Sequence, residues 1–139
     1  MKLTTKGRYG LNAMYDLAMS EGEGPQSVKA IAQRQRIPEA YLEQLICALK
    51  KAGLVVSVRG AQGGYRIARP AGEISIGQIL RALEGEVLQI DCLADEEYCT
   101  NACSCPSRRV FTKLAEGMNR LVDSISLADM LGDETNAQT

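Results

Sequence analysis

No histidine occurs anywhere in the 139 residues of this chain. Its absence removes the base that most often activates a serine or cysteine nucleophile. Neither a P-loop nor a strand-borne GxGxxG is present to suggest another enzyme chemistry. Long apolar runs are missing too, so no segment reaches the length needed to span a bilayer. The start MKLTTKGRYG has no apolar stretch after its positive charge, unlike a secretory signal. There is no internal repeat and no low-complexity segment. The expectation is a non-enzymatic, cytoplasmic chain with neither a membrane nor a small-molecule substrate as partner. At 45% hydrophobic and 24% charged, it can build one core, or one core and a long appended helix.

What is present is uneven. Four of the five cysteines, Cys92, Cys99, Cys103 and Cys105, fall within fourteen residues. In a reducing compartment such clustering points to a metal or a redox function more than to structural disulfides, although five thiols also allow one reversible pair. Charge is equally lopsided. Through Pro70 the balance is +6, and from Ala71 onward it is −7, within a net charge of −1. A basic first half suits a polyanion, because Lys and Arg gain affinity by neutralising phosphates and releasing counterions. Chance clustering on a solvated surface is the plain alternative, and the motifs decide between them.

The basic half reads as three short helices and a hairpin. Leu11, Met14, Leu17 and Ala18 recur at helical spacing from Gly10 to Ala18, and the segment from Glu21 to Pro25 stops that helix. Ser27 can cap a second helix whose buried side is Val28, Ile31 and Ala32 and which ends near Arg34 to Arg36. A third is expected to start with Pro38 in its first turn and run to Ala52 before Gly53. Its core face is Tyr41, Leu42, Leu45, Ile46 and Leu49, and its outer face carries Glu39, Ala40, Glu43, Gln44, Cys47, Lys50 and Lys51. Residues 54–58 and 65–69 then flank a glycine-rich stretch, the signature of a hairpin with an irregular tip.

Two helices joined by a tight turn and followed by a hairpin make a winged helix-turn-helix. In it the second helix of the motif enters the major groove and the wing lies along the backbone or in the minor groove. The fold class expected is mainly α with a small β-hairpin wing. Glu43 and Gln44 suit base reading, Glu accepting from a cytosine amino group and Gln pairing with adenine edges, and Arg59 suits a narrow minor groove. Lys50 and Lys51 end the reading helix, Arg66 and Arg69 lie on the wing, and Lys2, Lys6 and Arg8 stand at the entry. Solvated helix residues are the bland reading of Glu43 and Gln44, but the complete helix-helix-hairpin order favours contact with double-stranded DNA.

Three stretches carry a resemblance. They are Leu3-Thr4-Thr5-Lys6-Gly7-Arg8-Tyr9-Gly10, Tyr41-Leu42-Glu43-Gln44-Leu45 and Ser57-Val58-Arg59-Gly60-Ala61-Gln62-Gly63-Gly64-Tyr65. In this order they resemble the Rrf-two family of winged-helix bacterial regulators, which includes IscR, NsrR and CymR, over Met1 to about Leu131. The resemblance implies a homodimer on a partly palindromic operator, with the reading helix in the major groove and the wing reaching the minor groove.

The acidic half supplies the remaining parts. Ser75 can cap a helix holding Ile76, Ile79, Leu80 and Leu83, which Gly85 ends. Beyond Pro106, Ser107 can cap a longer helix with Val110, Leu114, Leu121, Val122 and Ile125 on one side. An apolar stripe with no local cover usually pairs with its twin or with the other subunit, so periodicity also points to a homodimer. A helix folded back on its own domain is the alternative. The expected division is a DNA-binding domain over 1–72, a connecting helix over 73–91, a cysteine-rich cluster-binding loop over 92–106, a dimerisation helix over 107–131 and a flexible tail over 132–139.

Soft thiolates select zinc, copper(I) or an iron–sulfur cluster. The loop lacks the usual two-knuckle form of structural zinc, which favours a cluster. Resemblance to IscR-like members implies that Cys92, Cys99 and Cys105 hold an iron–sulfur cluster, 2Fe–2S or 4Fe–4S. Those members commonly carry a histidine just after the third cysteine, where this chain has Pro106-Ser107-Arg108. The fourth ligand is therefore open, with Cys103 the nearest donor and Glu43 or a carboxylate in 95–97 a weaker one. The acidic residue that NsrR-like members place near the N-terminus is matched here by Arg8. Cys47 carries no assigned role, with a redox-sensitive thiol near DNA as its alternative.

The function expected is a dimeric regulator that senses iron–sulfur cluster status and controls cluster-assembly genes, as repressor or activator. A regulator of cysteine and sulfur metabolism and a nitric-oxide or redox sensor of the same family are alternatives. A cluster carrier or a structural zinc protein is the alternative outside it.

Overall fold

The computed structural model describes residues 4–86 and 105–137. Helix α1 (Thr5–Met19) runs through the centre of the molecule, followed by α2 (Val28–Gln35), α3 (Glu39–Lys51) and the antiparallel strands β1 (Val55–Val58) and β2 (Gly64–Ile67). Then come α4 (Ile76–Glu84), α5 (Pro106–Ser124) and α6 (Leu127–Ala137).

Local chemistry sets most of these boundaries. The Ser27 hydroxyl accepts from the Ala30 amide at 3.1 Å and starts α2, while Ser75 and Gln78 form a reciprocal capping box at the start of α4. Gly85, at φ 78°, releases α4, as the sequence suggests. The turn between α2 and α3 is made by Arg36, which takes the left-handed conformation at φ 57°, and Pro38 sits one position before the first turn of α3 as its N-cap.

Periodicity places the core. Met14, Leu17, Ile31, Leu42, Leu45, Ile46 and Leu49 are all at most 1% exposed, so α1, α2 and α3 bury the apolar stripes read from their spacing. Leu54, Val55 and Ile67 close one end beneath the hairpin, and Ile74, Ile79, Leu83 and Leu127 close the other. Close approach of α1 and α4 depends on Gly10, where a Cβ would stand 1.9 Å from Leu83 Cδ1. Thr4, just ahead of α1, donates through both its amide and its hydroxyl to the Glu84 carboxylate at the far end of α4.

Pro38, expected in the first turn of α3, is its N-cap instead, and four other boundaries also differ from expectation. Helix α1 begins at Thr5 rather than Gly10; its first turn, Thr5-Lys6-Gly7-Arg8, buries only Gly7 and carries no apolar side chain from which a period could be read. Helix α5 begins at Pro106 with Cys105 as its N-cap, so Ser107 lies inside it, consistent with the tolerance of proline in a first turn. The long helix expected to run to Leu131 breaks at Ile125 and Ser126. There Ser126 and Asp129 exchange hydrogen bonds, side chain to backbone, at 2.9 and 3.1 Å, while the Ile76 amide donates to Ile125 O and the Leu127 amide to Ile74 O. Finally, the stretch expected to fray is helical through Ala137. Leu127, the first residue of α6, is fully buried, and Met130 and Leu131 pack against the core, which anchors the turns that follow.

Candidate nucleic-acid interface

Burial of Leu42, Leu45, Ile46 and Leu49 turns the opposite face of α3 outward, so Glu39, Ala40, Glu43, Gln44, Cys47, Lys50 and Lys51 are all exposed. A helix fixed by its core side and smooth on its outer side is the form that fits a major groove. Lys50 and Lys51 fall in the last turn, where cations complement the helix dipole.

The wing stands beside it. Val55 pairs with Ile67, Val56 with Arg66, Ser57 with Tyr65 and Val58 with Gly64. Period-2 alternation sends Val55 and its partner Ile67 into the core and turns Arg66, paired with Val56, to the opposite, exposed face; Ser57 shares the Val55 face but is exposed nearer the tip. Arg59 follows β1 at the tip and is exposed as well. Arg69 is half-buried beyond β2 and its guanidinium reaches Gln78 of α4 at 3.5 Å, so it faces the connecting helix more than the wing tip.

Lys6 and Arg8 are exposed on the first turns of α1. Arg8 lies over the Tyr9 ring at 5.3 Å, and Tyr9 meets Tyr41 edge to face, with centroids 5.9 Å apart and planes at 73°. The entry segment is thereby tied to the first turns of the reading helix. The structure thus brings Lys6, Arg8, Glu43, Gln44, Lys50, Lys51, Arg59 and Arg66 to the surface on α1, α3 and the wing. Lys2 lies outside the described residues.

The aromatic tie between Tyr9 and Tyr41 had no local sequence signal. The same is true of a polar network beneath the interface, in which Arg34 forks onto the buried Asp16 at 2.7 and 2.9 Å. Asp16 and Arg34 are eighteen residues apart, and only the packing of α2 on α1 brings them together.

Of the four clustered cysteines only Cys105 falls among the described residues. Cys92, Cys99 and Cys103, with Asp95, Glu96 and Glu97, lie outside the described residues. Cys105 is a half-buried free thiol at the N-cap of α5. The backbone amide of Arg108 lowers its pKa, burial opposes this, and the amide of Ser107 adds a smaller lowering. A lowered pKa makes the thiolate, the form that acts as a soft donor, easier to reach. Among the described residues no group of three or more Cys, Asp or Glu side chains is gathered to hold a metal ion. Glu43 faces outward on α3, on the exposed side opposite the core.

The second half of α5 rests on α4, where Arg81 bonds Asp123 and Asn119. Its other side is bare: Val110, Leu114 and Leu121 are 56%, 51% and 61% exposed, and α5 has no fully buried residue. Beside it a groove of about 620 Å³ runs between α1, α4 and α5, lined by Leu11, Ile76, Leu80, Met118, Leu121 and Val122 among others.

The comparisons with known proteins bear on this helix-helix-hairpin fold. The Rrf2 model, described as an iron-dependent transcriptional regulator, matches residues 3–133. The chain belongs to the Rrf2 family. Among Rrf2 proteins it is 43% identical to the transcriptional regulator CymR of Bacillus subtilis over 131 residues, which cover 94% of this chain and 89% of that protein. It is 40% identical to IscR of Aliivibrio salmonicida over 133 residues, covering 96% and 79%. The solved structure of T. potens IscR superposes with a TM-score of 0.80 at 48% identity, covering all of this chain and 92% of that one. This Rrf2 chain is therefore a DNA-binding transcription regulator with a winged helix-turn-helix fold, similar to both IscR and CymR. Among its described residues, no helix is long and apolar enough to cross a membrane.

Proposed function

We propose that this Rrf2 regulator acts as a homodimer whose hold on its operator depends on an iron–sulfur cluster, and that it adjusts transcription of cluster-assembly genes to cluster supply. The observation that carries the reading is the place of Cys105. It ends the cysteine segment and caps α5, the helix whose apolar stripe is uncovered. A change at the thiol is thus one residue from the helix best suited to join two subunits.

Cys92, Cys99 and Cys105 would hold the cluster, with Cys103 the nearest further donor. Their soft thiolates fit that group, and with no histidine in the chain the fourth ligand has to come from another donor. Such a cluster supplies an occupancy that follows iron, sulfide and oxidant levels. The chain's own residues do the remainder. Arg81 and Asp123 fix α4 to α5, and α4 packs on α1, so the angle of each α5 is mechanically linked to the entry segment bearing Lys6 and Arg8. Glu43 and Gln44 read bases, and Lys50, Lys51, Arg59 and Arg66 meet the backbone or the minor groove.

Similarity to CymR favours a second reading, a regulator of cysteine and sulfur metabolism sharing the DNA-binding half. Four clustered cysteines speak for the cluster reading instead. The experiment compares operator affinity of anaerobically prepared wild type with a variant carrying Cys92→Ala, Cys99→Ala and Cys105→Ala. Coupling of ordinary strength shifts affinity by about tenfold for at least one operator. Equal affinities in oxidising and reducing buffer would sink the proposal.

A further inference from the structure

Gln26 joins the wing to the helix pair. It precedes α2, and its backbone pairs with that of Tyr65 in β2: the Gln26 amide donates to Tyr65 O at 2.9 Å and the Tyr65 amide to Gln26 O at 2.8 Å. The two segments meet so tightly that a Cβ at Gly64 would lie 2.4 Å from the Gln26 carbonyl oxygen. The second strand of the wing is therefore seated directly on Gln26.

The Gln26 side chain is itself held. Its Nε2 donates to Gly24 O at 3.1 Å, and its Oε1 accepts from Arg34 Nη2 at 2.8 Å. The same guanidinium bonds Asp16 of α1 through Nε at 2.9 Å and Nη2 at 2.7 Å, and Gln35 Nε2 adds a third donor at 3.0 Å. Asp16 is 4% exposed, and a carboxylate buried that deeply persists only with its partners in place. Its position therefore fixes the guanidinium. The planar fork of arginine can grip the carboxylate with two bonds and still offer one proton to Gln26, which lysine cannot reproduce.

The chain of bonds runs from α1 through α2 to the wing, and Arg34 stands at the last turn of α2, just before the Arg36 turn into the reading helix. We propose that Gln26, held by Arg34 and Asp16, is a positioning residue that sets the angle of the wing to α3. It thereby decides whether Arg59 and Arg66 reach DNA while α3 occupies the major groove. This rests on the reading that those two arginines face DNA. Gln26 itself touches no base or phosphate in this account.

The test uses the full chain, prepared anaerobically, and a duplex that the wild type selects from a randomised pool. Affinity is measured across a salt series for wild type, Gln26→Ala, Arg34→Lys, the double variant Arg59→Ala/Arg66→Ala, and that double variant with Gln26→Ala added. Neither Gln26→Ala nor Arg34→Lys removes a charge. Both nevertheless lower affinity by about tenfold and reduce the salt slope toward that of the double variant, since every arginine that no longer reaches a phosphate takes about one unit of slope with it. Adding Gln26→Ala to the double variant then costs nothing further. A weaker Gln26→Ala variant with the wild-type slope, or a loss that adds in full to the double variant, would overturn the proposal, because a merely structural role behaves that way. If Arg59→Ala/Arg66→Ala itself keeps the wild-type slope, the wing does not meet DNA, and it is the underlying reading that fails.

Discussion

Arg81 of α4 grips Asp123 of α5 with both arms of its fork, Nη1 to Oδ1 at 2.7 Å and Nη2 to Oδ2 at 3.1 Å. That bond lowers the Asp123 pKa, against a smaller effect of burial. A carboxylate whose pKa falls on folding adds stability above its unfolded value of about 3.9 and loses it as pH drops through the folded value. Asp123→Asn should therefore destabilise the chain near neutral pH, and the difference from wild type should shrink below about pH 4. Asp123 is 47% exposed and screened by solvent, so the neutral-pH loss should stay within about 1 kcal/mol. Urea unfolding of both proteins at the two pH values checks the sign; a gap that widens in acid would refute it.

The uncovered stripe of α5 leads to a prediction about assembly. Leu114→Glu and Leu121→Glu replace side chains that are 51% and 61% exposed, so neither should cost the fold of the single chain. Light scattering should give a dimer for wild type and a monomer for the double variant. A double variant that remains dimeric would place the interface elsewhere.

On the reading helix, charge and specificity should separate. Lys50→Ala should weaken binding to all duplexes about equally and lower the salt slope by roughly one per subunit. Glu43→Ala should relax discrimination at one base pair by about 1–3 kcal/mol, with a smaller effect on unrelated duplexes. Competition binding against single-base operator variants distinguishes the two. Identical profiles for both variants would remove Glu43 from the reading face.

Elements whose boundaries are written in local chemistry were legible in the sequence. Ser27, Ser75 and Gly85 mark helix ends, and the 3.6-residue spacing of Leu42, Leu45, Ile46 and Leu49 sorts the faces of α3. The glycine-rich stretch between β1 and β2 marks the wing. What escaped depends on packing between distant segments. The S-x-x-D order of Ser126 and Asp129 is a local signal for a new helix start, but nothing near it announces that Leu127 must enter the core. Ile76 and Ile74, some fifty residues earlier, hold that corner. Likewise the first turn of α1 gives no apolar signal, and the bond from Thr4, just ahead of it, to Glu84 exists only once α4 is packed. For the site, the outward residues of α3 and the wing could be read from alternation alone, whereas the links through Gln26, Arg34 and Asp16 could not. Three of the four loop cysteines lie outside the described residues, so their grouping rests on sequence.

The most direct test of the account is the iron and acid-labile sulfide content, per chain, of protein purified without oxygen, with zinc assayed in the same sample. Iron and sulfide in equal, near-stoichiometric amounts are predicted, lost together in the variant carrying Cys92→Ala, Cys99→Ala and Cys105→Ala. Zinc in their place, or no metal at all, would contradict cluster sensing and leave a winged-helix DNA-binding regulator governed by some other signal.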